Sequence, residues 1–155
     1  RVNVESALDM HQAVMNHAQQ SDVFISCAAV ADYRPISMSD QKIKKEAQSS
    51  KELVINLEEN PDIVASVANR KDRPYTVGFA AETQNVKQYA KNKLQGKKLD
   101  MIVANDVSLT GQGFNSEFNQ VTLIFENDEI ELALQQKQAL AEKIVANIAK
   151  RYLNT

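Results

Sequence analysis

The chain holds a single cysteine, Cys27, in 155 residues. That excludes an internal disulfide framework and a cysteine-based zinc site, and it fits a reducing, cytoplasmic setting. There is no excess of either charge: 18 Lys and Arg stand against 20 Asp and Glu, for a net charge of −2. Binding to nucleic acid or to an anionic membrane calls for a large positive excess, so neither partner is expected. There is no long apolar run. The longest, Cys27 to Ala31, falls far short of the ~20 residues of a membrane span. No signal peptide is visible, and no Ser-His-Asp arrangement, Gly-Lys phosphate loop or G-x-G-x-x-G is present. What remains is ordinary for a globular chain, with 43% hydrophobic and 25% charged residues in about one domain's length. Residue 1 is Arg and a helix follows within a few positions, so the expectation is a piece of a longer chain.

Ser6 with Asp9 predicts a helix start, and Ala7, Met10, Val14 and Ala18 recur at helical spacing. Asp22 to Val30 is apolar without alternation and predicts a buried strand, with Cys27 packed inside it. Residues 32 to 52 read as a long loop, and Leu53, Ile55 and Leu57 predict a strand by their alternation. Asn60-Pro61-Asp62 predicts a helix with Asn60 as its cap, running to about Asn69. Tyr75 to Ala81 predicts a strand, Thr83 to Leu94 a helix stopped by Gly96, and Asp100 to Ala104 another strand. Val107 to Asn119 reads as a loop. Gln120 to Phe125 and Glu129 to Leu134 predict a hairpin about Glu126, and Leu140, Ile144, Val145 and Ile148 mark a closing helix. Strands alternating with helices predict an α/β Rossmann-like three-layer fold with a mainly parallel sheet and a C-terminal hairpin.

In such sheets ligands sit beyond the carboxyl ends of the strands. Ala28 to Tyr33, Gly78 to Thr83 and Asn105 to Ser108 fall there and mix small with polar residues. Two readings stay open for each, a ligand-contacting turn and an ordinary strand-to-helix turn. The start at Asn60-Pro61-Asp62-Ile63 offers unpaired N–H groups and a positive dipole end, which suits an anion. Asp62 itself would repel phosphate, so it would face a sugar hydroxyl or a cation, or serve as a plain cap. On the helix after Thr83, with Val86 at zero, Ala90, Leu94 and Tyr89 fall at ~40°, ~80° and ~300°, and form the apolar stripe. Lys93 at ~340° and Lys97 at ~20° lie inside that stripe, which is costly unless an anion or a carboxylate receives them or they snorkel out. Lys87, Lys91 and Lys98 lie on its outer edge. Lys42-Ile43-Lys44-Lys45 reads as a solvated charge run or as a mobile loop able to close over a phosphate. His11 and His17 read as surface residues that share no face.

Six stretches, in order, carry a resemblance: Ala28-Ala-Val-Ala-Asp-Tyr33 with Lys42-Ile-Lys-Lys45, Glu59-Asn-Pro-Asp-Ile63, Gly78-Phe-Ala-Ala-Glu-Thr83, Ala104-Asn-Asp-Val-Ser108 and Gly113-Phe-Asn-Ser116. Together they resemble phosphopantothenoylcysteine synthetase, the phosphopantothenate–cysteine ligase of coenzyme A synthesis. In bacteria it is usually the C-terminal half of a protein whose N-terminal half is an FMN-dependent decarboxylase. The resemblance implies activation of 4′-phosphopantothenate by CTP with Mg²⁺, an acyl-cytidylate, and amide formation with L-cysteine. It implies nucleotide contacts from Ser26, Cys27, Ala28 and Asp32, from Pro61, Asp62, Ile63 and Val64, and from Phe79. It gives Lys93 and Lys97 the triphosphate, Lys42 a catalytic place on a flap together with a nucleotide contact, and Ala29 the phosphopantothenate. It implies a homodimer, and FMN only in the fused half.

The family's ligase domain begins with a strand and a Gly- and Ser-rich loop bearing an Asn that the chemistry needs. No such segment is present here, so the expectation is one ligase domain over residues 1–155, incomplete at its N-terminus. A non-catalytic nucleotide-binding module and a dinucleotide-dependent oxidoreductase are the alternatives.

Overall fold

The computed structural model describes residues 1–44, 52–108 and 116–154. In chain order the elements are α1 (Ala7–Ala18), β1 (Val23–Ser26), β2 (Tyr33–Pro35), β3 (Leu57–Glu59), α2 (Ile63–Ala68), β4 (Tyr75–Glu82), α3 (Val86–Lys97), β5 (Met101–Asp106), β6 (Phe118–Ile124), β7 (Glu129–Gln136) and α4 (Lys137–Tyr152). A five-stranded sheet has the order β1-β4-β5-β6-β7, and β2 pairs β3 in a separate antiparallel ribbon. β1, β4 and β5 are parallel, while β6 and β7 are antiparallel. The chain steps in one direction from β1 to β4 to β5. Right-handed crossovers therefore leave α2 and α3 on the same face.

Helices on both faces make three layers, as the alternation of strands and helices predicts. Val77, Met101, Val103 and Leu123 are fully buried under Leu140, Ile144 and Ile148 of α4. On the other face Ala80, Ile102, Ala104 and Ile124 meet Ala90 and Leu94 of α3 and Ala68 of α2. Each large side chain buried this way contributes about 1.5–3 kcal/mol. The hairpin closes through the Phe125 N–H donating to the Asp128 carbonyl at 2.9 Å.

Several boundaries differ from the sequence expectation, each for a local reason. Ser6 does cap α1, and Asp9 returns the bond to the Ser6 N–H. Asn60 is not the cap of α2. Asp62 is, accepting from the Ala65 N–H at 3.0 Å. Gly96 does not stop α3, which runs on to Lys97 and ends at Lys98 in the left-handed region (φ 57°). The strand expected over Leu53–Leu57 forms only from Leu57. Its partner β2 ends at Pro35, and one further bond, from the Ile36 N–H to the Asn56 carbonyl at 3.0 Å, continues the ribbon beyond it. β1 is half-buried at most, because it lies at the end of the sheet order, and Ile25 is 42% exposed. Cys27 falls beyond β1 and is exposed instead of packed. Tyr89, placed on the apolar stripe, is 45% exposed. His11 is half-buried against α2, its Nε2 3.3 Å from Ser66 Oγ. Lys45 and Gly113 to Asn115 lie outside the described residues.

Candidate nucleotide-binding cleft

A cleft of about 280 Å³ opens where β1 ends and beside the middle of β4, between the Ala28–Asp32 segment, α2 and α3. Ser26, Ala28, Ala29 and Asp32 line it from the end of β1. Pro61, Asp62, Ile63 and Val64 line it from the start of α2. Phe79 contributes from β4, and Lys93 and Lys97 from α3. Residues as far apart in sequence as Ser26 and Lys97 thus converge on one hollow beside the carboxyl end of β1, near the edge where α/β sheets hold ligands.

Two expected residues stand apart. Cys27, between two lining residues, does not line the cleft itself. Lys42 is exposed on the segment that follows β2 and lines none of it.

The two lysines in the apolar stripe meet carboxylates. Lys93 Nζ lies 2.6 Å from Glu82 Oε1, and Lys97 Nζ lies 2.8 Å from Asp62 Oδ2. Both ammonium groups stay partly in solvent, with side chains 46% and 35% exposed. The expected cost of charge in the stripe is therefore met by pairing together with snorkelling. Burial alone would raise the Asp62 carboxyl pKa. The Lys97 hydrogen bond and the Ala65 N–H outweigh that and hold it below the usual carboxylate range. Because Asp62 caps its own helix, the N–H of Ala65 is already taken, and the bare anion site expected at Asn60–Ile63 is partly filled from within.

Three residues take places that the sequence did not give them. Asn60, read as a cap, instead ties the β1 loop to α2. Its Nδ2 donates to the Ala31 carbonyl (2.9 Å), its N–H to the Asp32 carbonyl (2.8 Å), and its Oδ1 accepts from Arg34 (3.1 Å). Gly78 floors the cleft because a Cβ there would stand 2.7 Å from Leu99 Cδ1. Asn105, at the end of β5, has a buried Oδ1 with no hydrogen-bond partner among the described residues. A covered acceptor left without a donor costs about 1–3 kcal/mol. Gly78 lies inside β4 and Asn105 inside β5 instead of beyond the strands, and the signal for all three is their place in the stretches of small and polar residues marked in the sequence.

A second hollow of about 620 Å³ lies between the start of α3 and β6. Its lysine wall is already occupied, since Lys87 pairs with Glu129 (2.8 Å) and Glu131 (2.6 Å) and Lys91 pairs with Glu129. None of the expected site residues lines it. Among the described residues no group of three or more His, Cys, Asp or Glu is placed to hold a metal ion. Among the described residues no helix is long and apolar enough to cross a membrane.

Residues 1–152 match the family described as the DNA/pantothenate metabolism flavoprotein C-terminal domain. The chain belongs to that family. It is 56% identical over 146 residues to the coenzyme A biosynthesis bifunctional protein CoaBC of Vibrio parahaemolyticus, covering 94% of this chain and 36% of the relative. It is 50% identical over 153 residues to the protein of that name from Escherichia coli K12, covering 98% of this chain and 38% of the relative. The chain therefore spans a little over a third of the length of these curated relatives. Among solved structures it is similar to the crystal structure of the C-terminal domain of a CoaBC protein. The TM-score is 0.79 at 39% identity, covering 99% of this chain and 66% of that one. The family and fold expected from the six stretches are thus borne out.

Proposed function

We propose that this chain is the body of a phosphopantothenate–cysteine ligase that uses CTP. The observation that carries the reading is the cleft. Ten of the residues expected to meet the nucleotide, together with the Ala29 expected at the acid substrate, line one hollow. In the proposed reaction the carboxylate of 4′-phosphopantothenate attacks the α-phosphorus of CTP. Pyrophosphate leaves and an acyl-cytidylate remains. The amine of L-cysteine then attacks the acyl carbon, CMP departs, and the amide loses the amine's extra proton.

Each residue's role follows from its place. Lys93 and Lys97 hold the triphosphate, exchanging or sharing their carboxylate partners as phosphate arrives, since an ammonium has three donors. Ser26, Ala28 and Asp32, with Cys27 beside them, hold the nucleoside. Pro61 to Val64 pack against it, and Phe79 adds an apolar wall. Ala29 leaves room for the acid. Lys42, on its exposed segment, closes in and balances charge on the reacting phosphate.

Mg²⁺ suits this site as a companion of the nucleotide. It is commonly held by phosphates with one or two carboxylates, and Asp32 lines the cleft with no ion-pair partner among the described residues. It would supply neutralisation of phosphate charge. FMN belongs to the decarboxylase half proposed for the parent protein and takes nothing from this chain.

The proposed state is a cytoplasmic homodimer. The ribbon and the segments beside it support it, with Tyr33 55%, Ile36 59%, Met38 89% and Leu57 53% exposed. So much adjoining apolar surface suits a protein contact.

Lys42→Ala in the full-length protein tests the reading by single-turnover kinetics. Acyl-cytidylate formation should slow at least tenfold while CTP affinity changes little. An unchanged rate contradicts the catalytic role, and nucleotide binding without any turnover favours a non-catalytic module.

A further inference from the structure

Asn60 stands where the ribbon hands the chain on to the cleft. The Pro61 that follows it disfavours helical backbone at Asn60, so the cap of α2 falls to Asp62. The Asn60 N–H instead donates to the Asp32 carbonyl at 2.8 Å, one step beyond the Tyr33–Glu59 pair of the ribbon. Its side chain is engaged at both ends. Nδ2 donates to the Ala31 carbonyl at 2.9 Å, and Oδ1 accepts from Arg34 Nη1 at 3.1 Å. The opposite orientation of the amide would set donor against donor and acceptor against acceptor. Arg34 is itself fixed to the ribbon, by the Glu59 carbonyl at 2.7 Å and the Glu58 carboxylate at 3.0 Å.

What Asn60 holds is a wall made almost wholly of main chain. Ala28, Ala29, Val30 and Ala31 line the cleft, and none of them has a polar side chain. Any hydrogen bond they make to a bound molecule comes from backbone N–H and carbonyl groups. The place of such groups is set by the path of the chain alone. That path lies between Ser26, which ends β1, and Tyr33, which opens β2, so it belongs to no helix or strand. Asn60 takes two successive carbonyls at its far end, those of Ala31 and Asp32.

We infer that Asn60 is a positioning residue for the nucleotide: by holding the Ala31 carbonyl, its side-chain N–H fixes the main-chain wall against which the nucleoside is bound. The inference rests on the ligase reading for the identity of the nucleotide. Asn60 lines the cleft, but its amide is engaged within the protein at both ends, so its action passes through the segment it holds. Arg34 does not line the cleft. It lines an adjoining hollow of about 850 Å³ on the ribbon side, which Asn60 also borders. The amide thus makes one bond toward the cleft wall and one toward the ribbon, and substitution can separate the two.

Asn60→Leu in the full-length protein tests this, because leucine is close in shape, brings no charge near the phosphates and has neither donor nor acceptor. Arg34→Gln, which disturbs the ribbon-side bond alone, is the control. In calorimetric titration with CTP, Asn60→Leu should lose affinity tenfold or more, the scale of one hydrogen bond. Arg34→Gln should stay within twofold of wild type. In turnover KM for CTP should show the same split, with KM for L-cysteine within twofold in both variants. Unchanged CTP affinity in Asn60→Leu, with or without a fall in Tm, makes Asn60 merely structural and overturns the inference. Equal losses in the two variants assign the effect to the ribbon, and a matching rise in KM for L-cysteine assigns it to general loosening; either overturns it. Asn60→Ala, which adds no bulk, must repeat the result and decides alone if Asn60→Leu does not fold. CTP binding by the wild type without pyrophosphate release removes the ligase reading and leaves the comparison of affinities standing. Wild-type turnover with equal CTP affinities overturns the inference alone, and no CTP binding by the wild type overturns both.

Discussion

Lys97, in the last turn of α3, grips the carboxylate that caps α2: its Nζ lies 2.8 Å from Asp62 Oδ2, while Oδ1 of the same group accepts the Ala65 N–H at 3.0 Å. One side chain therefore terminates one helix, anchors a second and shapes the wall of the cleft.

That coupling has a pH signature. The folded Asp62 pKa lies below its ordinary 3.8, so the group favours the folded state above that value. Its contribution is lost as pH falls through the depressed folded value. Asp62→Ala should cost about 0.5–2 kcal/mol at neutral pH, the usual range for a helix cap. Urea unfolding of both proteins at stepped pH measures this. The gap between them should shrink below about pH 4, and a gap constant down to pH 2 contradicts the assignment.

Gly78 and Leu99 should behave as one unit. A Cβ at Gly78 would lie 2.7 Å from Leu99 Cδ1, and Leu99 is only 9% exposed. Gly78→Ala should destabilise by about 1–3 kcal/mol through overpacking. Adding Leu99→Ala should cost less than the sum of the two single changes, by about 0.5 kcal/mol or more. Strict additivity in a double-mutant cycle argues that the contact is relieved elsewhere.

Asp100 is expected to matter to stability and not to binding. It accepts both guanidinium N–H groups of Arg73 (2.6 and 2.7 Å) and the Thr76 N–H (2.7 Å) at the amino ends of β4 and β5, and it does not line the cleft. Thr76 is fully buried. Asp100→Ala leaves that N–H without its side-chain acceptor and should cost about 1–3 kcal/mol. Thermal unfolding should show the loss, with CTP affinity within twofold of wild type. A selective loss of nucleotide binding contradicts this.

Much of this arrangement was legible in the sequence because its signals are local. The capping pair Ser6 and Asp9, the helix–strand alternation, and the two lysines at core-facing angles on α3 all need only a few neighbouring residues. What was not legible depended on distant partners. Asn60 has the composition of a cap, but its amide is drawn to the Ala31 carbonyl, and the next acid in line takes over the capping. β1 reads as a core strand by composition, yet its exposure is set by its place at the end of the sheet order. The receivers of Lys93 and Lys97 are Glu82 and Asp62, from a strand and a loop that no helical period can reveal. Asn105 looks like any turn residue until its unpaired oxygen is seen.

Lys93→Ala and Lys97→Ala should each raise KM for CTP about tenfold, the scale of one lost hydrogen bond to a charged group. KM for L-cysteine should stay within twofold. The effect should shrink as salt rises, since both pairs are partly exposed. Steady-state kinetics at two ionic strengths decides this, and equal losses for CTP and cysteine contradict the triphosphate role.

The most direct test of the ligase reading is pyrophosphate release by the full-length protein given Mg²⁺, 4′-phosphopantothenate and either CTP or ATP. Release with CTP and not with ATP, followed by amide formation once L-cysteine is added, is the expected result. CTP binding with no pyrophosphate released under any of these conditions would contradict it.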